Sequence, residues 1–131
     1  MVGFAGETDE EFSQSVDFAK EIGFAKAHIF PYSVRVGTMA EKYEGHIANA
    51  QKELRAKKMT EATIQTEKEF LQNQIGKTVP VLFEEQKNGI SEGYTPNYTR
   101  VVVNTKKSLT GEILNVLIKS VQDDYCLGEL I

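Results

Sequence analysis

In the stretch HIFPYSVRVGT, a tyrosine, a serine and an arginine fall at Tyr32, Ser33 and Arg35. Together they offer a flat ring for stacking, a hydroxyl that donates or accepts, and a planar guanidinium for a carboxylate or phosphate. A second set lies in EGYTPNYTRVVV, where Tyr94 and Tyr98 bracket Asn97 and precede Arg100, with Lys106 and Lys107 in a nearby loop. Aromatic faces beside a few cations suit unpaired RNA, because bases stack and phosphates attract lysine and arginine. A third candidate is the opening VGFAGET, whose Gly3 and Gly6 would present backbone amides to a ligand at a strand's C-terminal end. Each set also has a plainer account. These are a solvated loop whose arginine caps a carbonyl, two tyrosines packing a hairpin, and a turn that needs glycine for its angles.

The other reactive residue types are sparse. His28 and His46 have no second histidine, cysteine or acid at metal-ligand spacing. Cys126 is the one cysteine, so no internal disulfide forms and a reducing cytoplasm is the expected setting. It reads as a small buried side chain in the last strand. No nucleophile–base pair is legible. Net charge is −4, with 15 basic and 19 acidic residues, which argues against a broad attraction to nucleic acid. Any RNA contact must come from a local patch. No apolar run approaches the ~18 residues that cross a bilayer, and the acidic N-terminus does not resemble a signal peptide.

Two bodies must position these sets. Thr8-Asp9-Glu10-Glu11 has the form of a capping box, and Phe12, Val16, Ala19 and Ile22 follow at helical spacing up to Gly23. With VGF before it and FAKAHIFPY after it, the helix completes a strand–helix–strand unit whose strands should be parallel neighbours. A polar helix is expected from about Ile47 to Gln74, with Leu54, Met59, Ala62, Thr66 and Phe70 as its weak buried stripe. Beyond Gly76 the period changes. KTVPVLFEE, ISEGYT, TRVVVN, GEILNVLIKSV and YCLGELI read as five short strands, separated by Asn88-Gly89, Pro96-Asn97, Asn104 to Gly111, and Asp123-Asp124. Five such strands point to a small closed β-barrel. The fold class is therefore an α/β fragment over residues 1–67 followed by an all-β module over residues 68–131.

The quoted stretches VGFAGETDEEF, HIFPYSVRVGT, QIGKTVPVLFEE and GYTPNYTRVVV, in that order, resemble the C-terminal part of the radical S-adenosylmethionine tRNA methylthiotransferases. The FPYS-x-R-x-GT wording looks most like the MtaB-type branch, which acts on threonylcarbamoyladenosine; the MiaB branch is its near relative. The resemblance implies that residues 1–67 are the last units of a partial (β/α) barrel and residues 68–131 a TRAM domain, a β-barrel that holds tRNA. It further implies that Gly3, Gly6 and Glu7 belong to a loop near S-adenosylmethionine. Phe30, Tyr32, Ser33 and Arg35 would then approach the same cofactor, while Tyr94, Asn97, Tyr98 and Arg100 face RNA.

Such enzymes carry two [4Fe–4S] clusters, one of them on a C-x3-C-x2-C run that this sequence lacks. Ala5 and Met39 also stand where the family usually has proline. The expectation is a piece of a longer enzyme, inactive and cofactor-free alone, whose partners are a tRNA anticodon stem-loop and the enzyme's remaining domains. Two other readings stay open: a stand-alone RNA-binding module without catalytic activity, and a small-ligand binder using both N-terminal loops.

Overall fold

The computed structural model describes residues Met1–Ile131 and divides into two units, Met1–Glu67 and Lys68–Ile131. In the first, helix α1 (Asp9–Ile22) starts where the capping box places it. The Glu11 amide donates to Thr8 Oγ1 at 3.1 Å, and the Thr8 amide donates to Glu11 Oε2 at 2.8 Å. Such a cap stabilises a helix by about 1 kcal/mol. Gly23 ends the helix in the left-handed region, at φ 66°, its amide donating to the Ala19 carbonyl. Phe12 and Ala19 are buried and pack with Val2 and Met59, with Val16, Ile29 and Ala56 at the margin. Ile22, the last member of the expected stripe, is half-exposed.

The two segments flanking α1 do run parallel and adjacent. The Val2 amide donates to the Phe30 carbonyl at 3.1 Å, and the Tyr32 amide donates to the Val2 carbonyl at 2.8 Å. The pairing is one isolated bridge, Val2 to Pro31, and the expected strand FAKAHIFPY forms no regular ladder. Val2 alone stands opposite it, Pro31 has no amide to donate, and two parallel strands without further neighbours hold little cross-strand order. After a short 3-10 turn, Met39–Lys42, comes helix α2 (Asn49–Gln72). Its buried positions in this unit include Arg55, Met59, Ala62, Thr63 and Thr66, while Leu54 is exposed. The inward face is helical in spacing but half polar. Thr66 Oγ1 satisfies itself on the Phe24 carbonyl at 2.9 Å and the Thr63 carbonyl at 2.9 Å. This polar filling is why the apolar stripe looked weak.

The second unit holds all five expected strands: β1 (Thr78–Lys87), β2 (Ile90–Tyr94), β3 (Arg100–Asn104), β4 (Ile113–Gln122) and β5 (Tyr125–Leu130). They close into a barrel in the order β1-β2-β3-β5-β4, antiparallel throughout except for the parallel β3–β5 pair. Asn88 and Gly89 both take positive φ, 54° and 79°, as a two-residue hairpin turn requires. Alternate residues point inward, so Val81, Phe83, Val101, Val103, Val116, Ile118 and Cys126 fill the interior with Leu71 and Leu109. Gly93 sits opposite Phe83 beside the bulge in β1, where a Cβ would collide with the Leu82 carbonyl. No helix is long and apolar enough to cross a membrane.

Candidate functional site

The opening loop turns its polar groups inward. The Gly3 amide donates to Glu7 Oε1 at 3.0 Å, and the Gly6 amide donates to the Gly45 carbonyl at 2.9 Å. Glu7 is itself held by Arg55, whose Nη1 reaches Glu7 Oε1 at 2.8 Å and the Glu7 carbonyl at 2.9 Å. Arg55 Nη2 donates to Asp9 Oδ1 at 2.8 Å, and the guanidinium lies over the Phe12 ring. The Arg55 side chain is only 5% exposed. Burial alone would lower its pKa, but the hydrogen bonds to Asp9 and Glu7, and their charges, outweigh this and raise it. Gly3, Gly6 and Glu7 thus brace the loop from within. Local sequence carries no sign of Arg55, because it lies in a lysine- and glutamate-rich helix that reads as solvated.

The next loop is different. Tyr32 is fixed through its backbone, with its carbonyl accepting from Lys52 Nζ at 2.9 Å. Its ring meets Phe4 edge-on at 4.9 Å and lies parallel to His46 at 6.4 Å. The Tyr32 hydroxyl is buried without a partner. Phe30, Tyr32, Ser33 and Arg35 line one cavity of about 280 Å³, together with Thr38 and Ala40. Phe30, Ser33 and Arg35 are exposed. The Arg35 carbonyl accepts from Thr38 Oγ1 at 2.8 Å, which shapes the turn that carries this exposed arginine.

In the barrel, residues 95–99 (TPNYT) build a closed polar turn. Asn97 Oδ1 accepts from Thr95 Oγ1 at 2.5 Å and from Thr99 Oγ1 at 2.9 Å. The Thr99 amide donates to Thr95 Oγ1 at 3.0 Å, and the Tyr98 amide donates to the Thr95 carbonyl at 2.9 Å. This holds Tyr98 at φ 63°, in the left-handed region that a bulky residue rarely takes, with 86% of its surface exposed. Its ring lies 6.2 Å from that of Tyr94, tilted by 50°.

Arg100 is engaged elsewhere. Nε and Nη2 donate to the two oxygens of Glu92 at 2.7 and 2.6 Å, and the guanidinium lies over the Tyr125 ring. The hydrogen bonds to Glu92 are the main reason its pKa is raised, ahead of opposing desolvation. Asn97 therefore serves the turn, and Arg100 a bidentate pair.

Strand register separates the two halves of the expected RNA patch. The β2–β3 ladder runs from Tyr94 opposite Arg100 to Ile90 opposite Asn104. Lys106 and Lys107 follow Asn104, beside the turn at Gly89, where the Thr105 amide donates to the Gly89 carbonyl. The lysines are therefore at the far end of the strands from the tyrosines, on the order of 13 Å or more at ~3.3 Å per residue. What accompanies the tyrosines instead is a cavity of about 510 Å³ lined also by Pro80, Leu82, Glu84, Pro96 and Ile113. Leu82 stands opposite Tyr94 on one neighbour and opposite Ile113 on the other. Alternation in PVLFE puts Pro80, Leu82 and Glu84 on the outer face. Their meeting with Ile113 depends on the β1–β4 register.

Residues 72–131 match the family model of the TRAM domain. Similarity extends over the rest. The chain is 33% identical over 132 residues to a tRNA-2-methylthio-N(6)-dimethylallyladenosine synthase of Bartonella quintana (strain Toulouse), covering 99% of this chain and 29% of that protein. It is 32% identical over 136 residues to the threonylcarbamoyladenosine tRNA methylthiotransferase MtaB of Bacillus subtilis (strain 168), covering 100% of this chain and 30% of that protein.

Along its whole length the chain is similar to proteins named as tRNA methylthiotransferases, and its barrel to the TRAM domain. It spans under a third of the length of these two relatives. Both branches match almost equally, so identity does not separate one substrate from the other. The five-stranded barrel is the part of the fold on which residue pattern, tertiary structure and family model agree.

Proposed function

We propose that this chain acts as the C-terminal portion of a radical S-adenosylmethionine tRNA methylthiotransferase, in the cytoplasm. Its barrel holds the anticodon stem-loop, and its Tyr32–Arg35 loop contributes one edge of the cofactor site. The proposed parent adds a methylthio group at C2 of N6-threonylcarbamoyladenosine beside the anticodon. The observation that carries the reading is similarity along the whole chain to proteins named for tRNA methylthiolation, joined to the TRAM match over the barrel.

The cofactors divide on the residues present. A [4Fe–4S] cluster is held by several cysteine thiolates, whereas Cys126 is the only cysteine and is buried within the barrel. Nor does any group of three or more His, Cys, Asp or Glu gather at metal-binding range. The clusters of the proposed parent find no ligands among these residues. S-adenosylmethionine, when bound, supplies radical and methyl-transfer chemistry. For that molecule the chain offers an exposed Arg35 guanidinium, suited to a carboxylate, and the Ser33 hydroxyl on the wall of the same cavity.

Fluorescence anisotropy with labelled anticodon stem-loops tests the reading. We expect binding that weakens as salt rises, and tighter binding to a loop carrying threonylcarbamoyladenosine than to one carrying dimethylallyladenosine. Equal binding to both would remove the branch assignment, and no binding to either would remove the tRNA-holding role. A second reading, a stand-alone RNA-binding module, draws on the barrel's own closed core. Limited proteolysis distinguishes them. Rapid digestion of residues 1–67 that spared the barrel would favour the first reading, and equal resistance of both units the second.

A further inference from the structure

We infer that the outer groove of the barrel, between Tyr98, Tyr94, Leu82 and Ile113, takes one unpaired nucleobase bearing an exocyclic amino group. The inference rests on the RNA-holding role proposed above. It adds which part of the RNA is gripped, where, and with what base preference.

The groove is about 510 Å³ and its walls are largely apolar. Tyr94, Leu82 and Ile113 lie in one row across three adjacent strands, and Ile113 is 68% exposed. A flat apolar ligand laid on this row would cover side chains that water now meets. Tyr98 overhangs the same groove on a turn whose own hydroxyls and amides are mutually satisfied. The ring is therefore positioned before any ligand arrives, in a backbone conformation that a tyrosine does not take for packing, since it packs little here. Two tyrosine rings inclined to each other over an apolar floor suit a base, whose faces stack regardless of sequence.

Charge narrows the ligand. No lysine or arginine lines the groove, and its one ionisable wall apart from the tyrosines is Glu84. The neighbouring Arg100 is held by Glu92 in a bidentate pair. A phosphate would meet no cation there and one repelling carboxylate. A base edge with an N–H₂ group would instead donate to Glu84, as adenine, cytosine and guanine can, whereas uracil has only its N3–H to offer. Phosphate contacts then fall to cations outside the groove, and Lys106 and Lys107 at the other end of the hairpin are exposed.

The test uses the full chain and single-stranded RNA hexamers that each carry one 2-aminopurine. Wild type should change the probe's fluorescence on binding and should favour cytosine- over uracil-containing competitors several-fold. Tyr98→Asn should abolish the fluorescence change. Asparagine tolerates the left-handed conformation, so this variant removes the ring without unfolding the turn, which thermal melting checks. Glu84→Gln should shrink the preference over uracil while leaving uracil binding intact or improved. Lys106→Ala with Lys107→Ala should weaken all hexamers alike and reduce the salt dependence, with the fluorescence change retained at saturation. Binding with the probe unaffected by Tyr98→Asn would overturn the groove and leave RNA binding standing; no hexamer or stem-loop binding would overturn both. Concentration-dependent self-association removed by Ile113→Lys, with RNA binding unchanged, would assign the groove to a second copy and overturn the proposal.

Discussion

The loop at Gly3–Asp9 and the turn at Thr95–Thr99 both read as candidate ligand contacts in the sequence, and they present different groups to solvent. In the first, a buried arginine holds Glu7 from within and reaches the exposed Asp9, and the two glycine amides close on intrachain acceptors. In the second, the polar groups also close on one another, but the result is to hold an aromatic ring outward. Internal satisfaction of polar atoms is common to both. What faces solvent differs: the first loop keeps Arg55 buried, its Nε without a partner, whereas the second leaves a whole tyrosine exposed. Polar residues in a loop therefore say less about ligand contact than the group their hydrogen bonds leave exposed.

The comparison breaks most readily at Arg55. Arg55→Met removes the cation from between Glu7 and Asp9 and should destabilise the protein by about 3 kcal/mol, by analogy with buried pairs that lose one partner. Asp9 is itself exposed, which holds the effect at the low end of that class. Denaturant titration measures it, and amide exchange at Gly3 and Gly6 should quicken in parallel. If both amides stay protected, the loop is held by something other than the Arg55–Glu7 pair.

Asn97→Ala takes one acceptor from two hydroxyls in the TPNYT turn and should cost about 1–2 kcal/mol. It should also loosen the backbone that carries Tyr98, seen as faster exchange of the Tyr98 amide now held by the Thr95 carbonyl. Tyr98→Gly acts the other way. Relief of the left-handed backbone should stabilise the chain by up to about 1 kcal/mol, so a clear loss of stability would mean that the ring packs more than its exposure implies.

The smallest effect concerns Cys126. Burial raises the thiol pKa above its ordinary value of 9.0. The folded state favours the neutral thiol, so this contribution is fully present below pH ~9 and declines as pH rises above it. Cys126→Ala should flatten that part of the stability–pH curve, and an unchanged slope would show that other groups govern it.

The same division separates what was legible from what was not. The capping box at Thr8, the stop at Gly23, the turn at Asn88-Gly89 and all five strands were readable, because each depends on neighbours a few residues apart. The strand expected over FAKAHIFPY was not realised, since a strand is defined by its partner and only Val2 stands opposite. Leu54 was expected inside α2 and Arg55 was found there. Apolar periodicity cannot anticipate a buried arginine whose acceptors lie some 46 to 48 residues away. Nor did local sequence show that Glu92 on β2 and Asp124 in the β4–β5 turn lie around Arg100.

By itself, the sequence determined the local shapes and the barrel's inward and outward faces, because hydrogen bonding within a turn and side-chain alternation act over short distances. Only the tertiary structure decided which outward residues share a surface. Strand register carried Lys106 and Lys107 away from Tyr98 and brought Leu82 and Ile113 beside Tyr94. A shift of a single residue in any of those ladders would have exchanged the faces and assembled a different site.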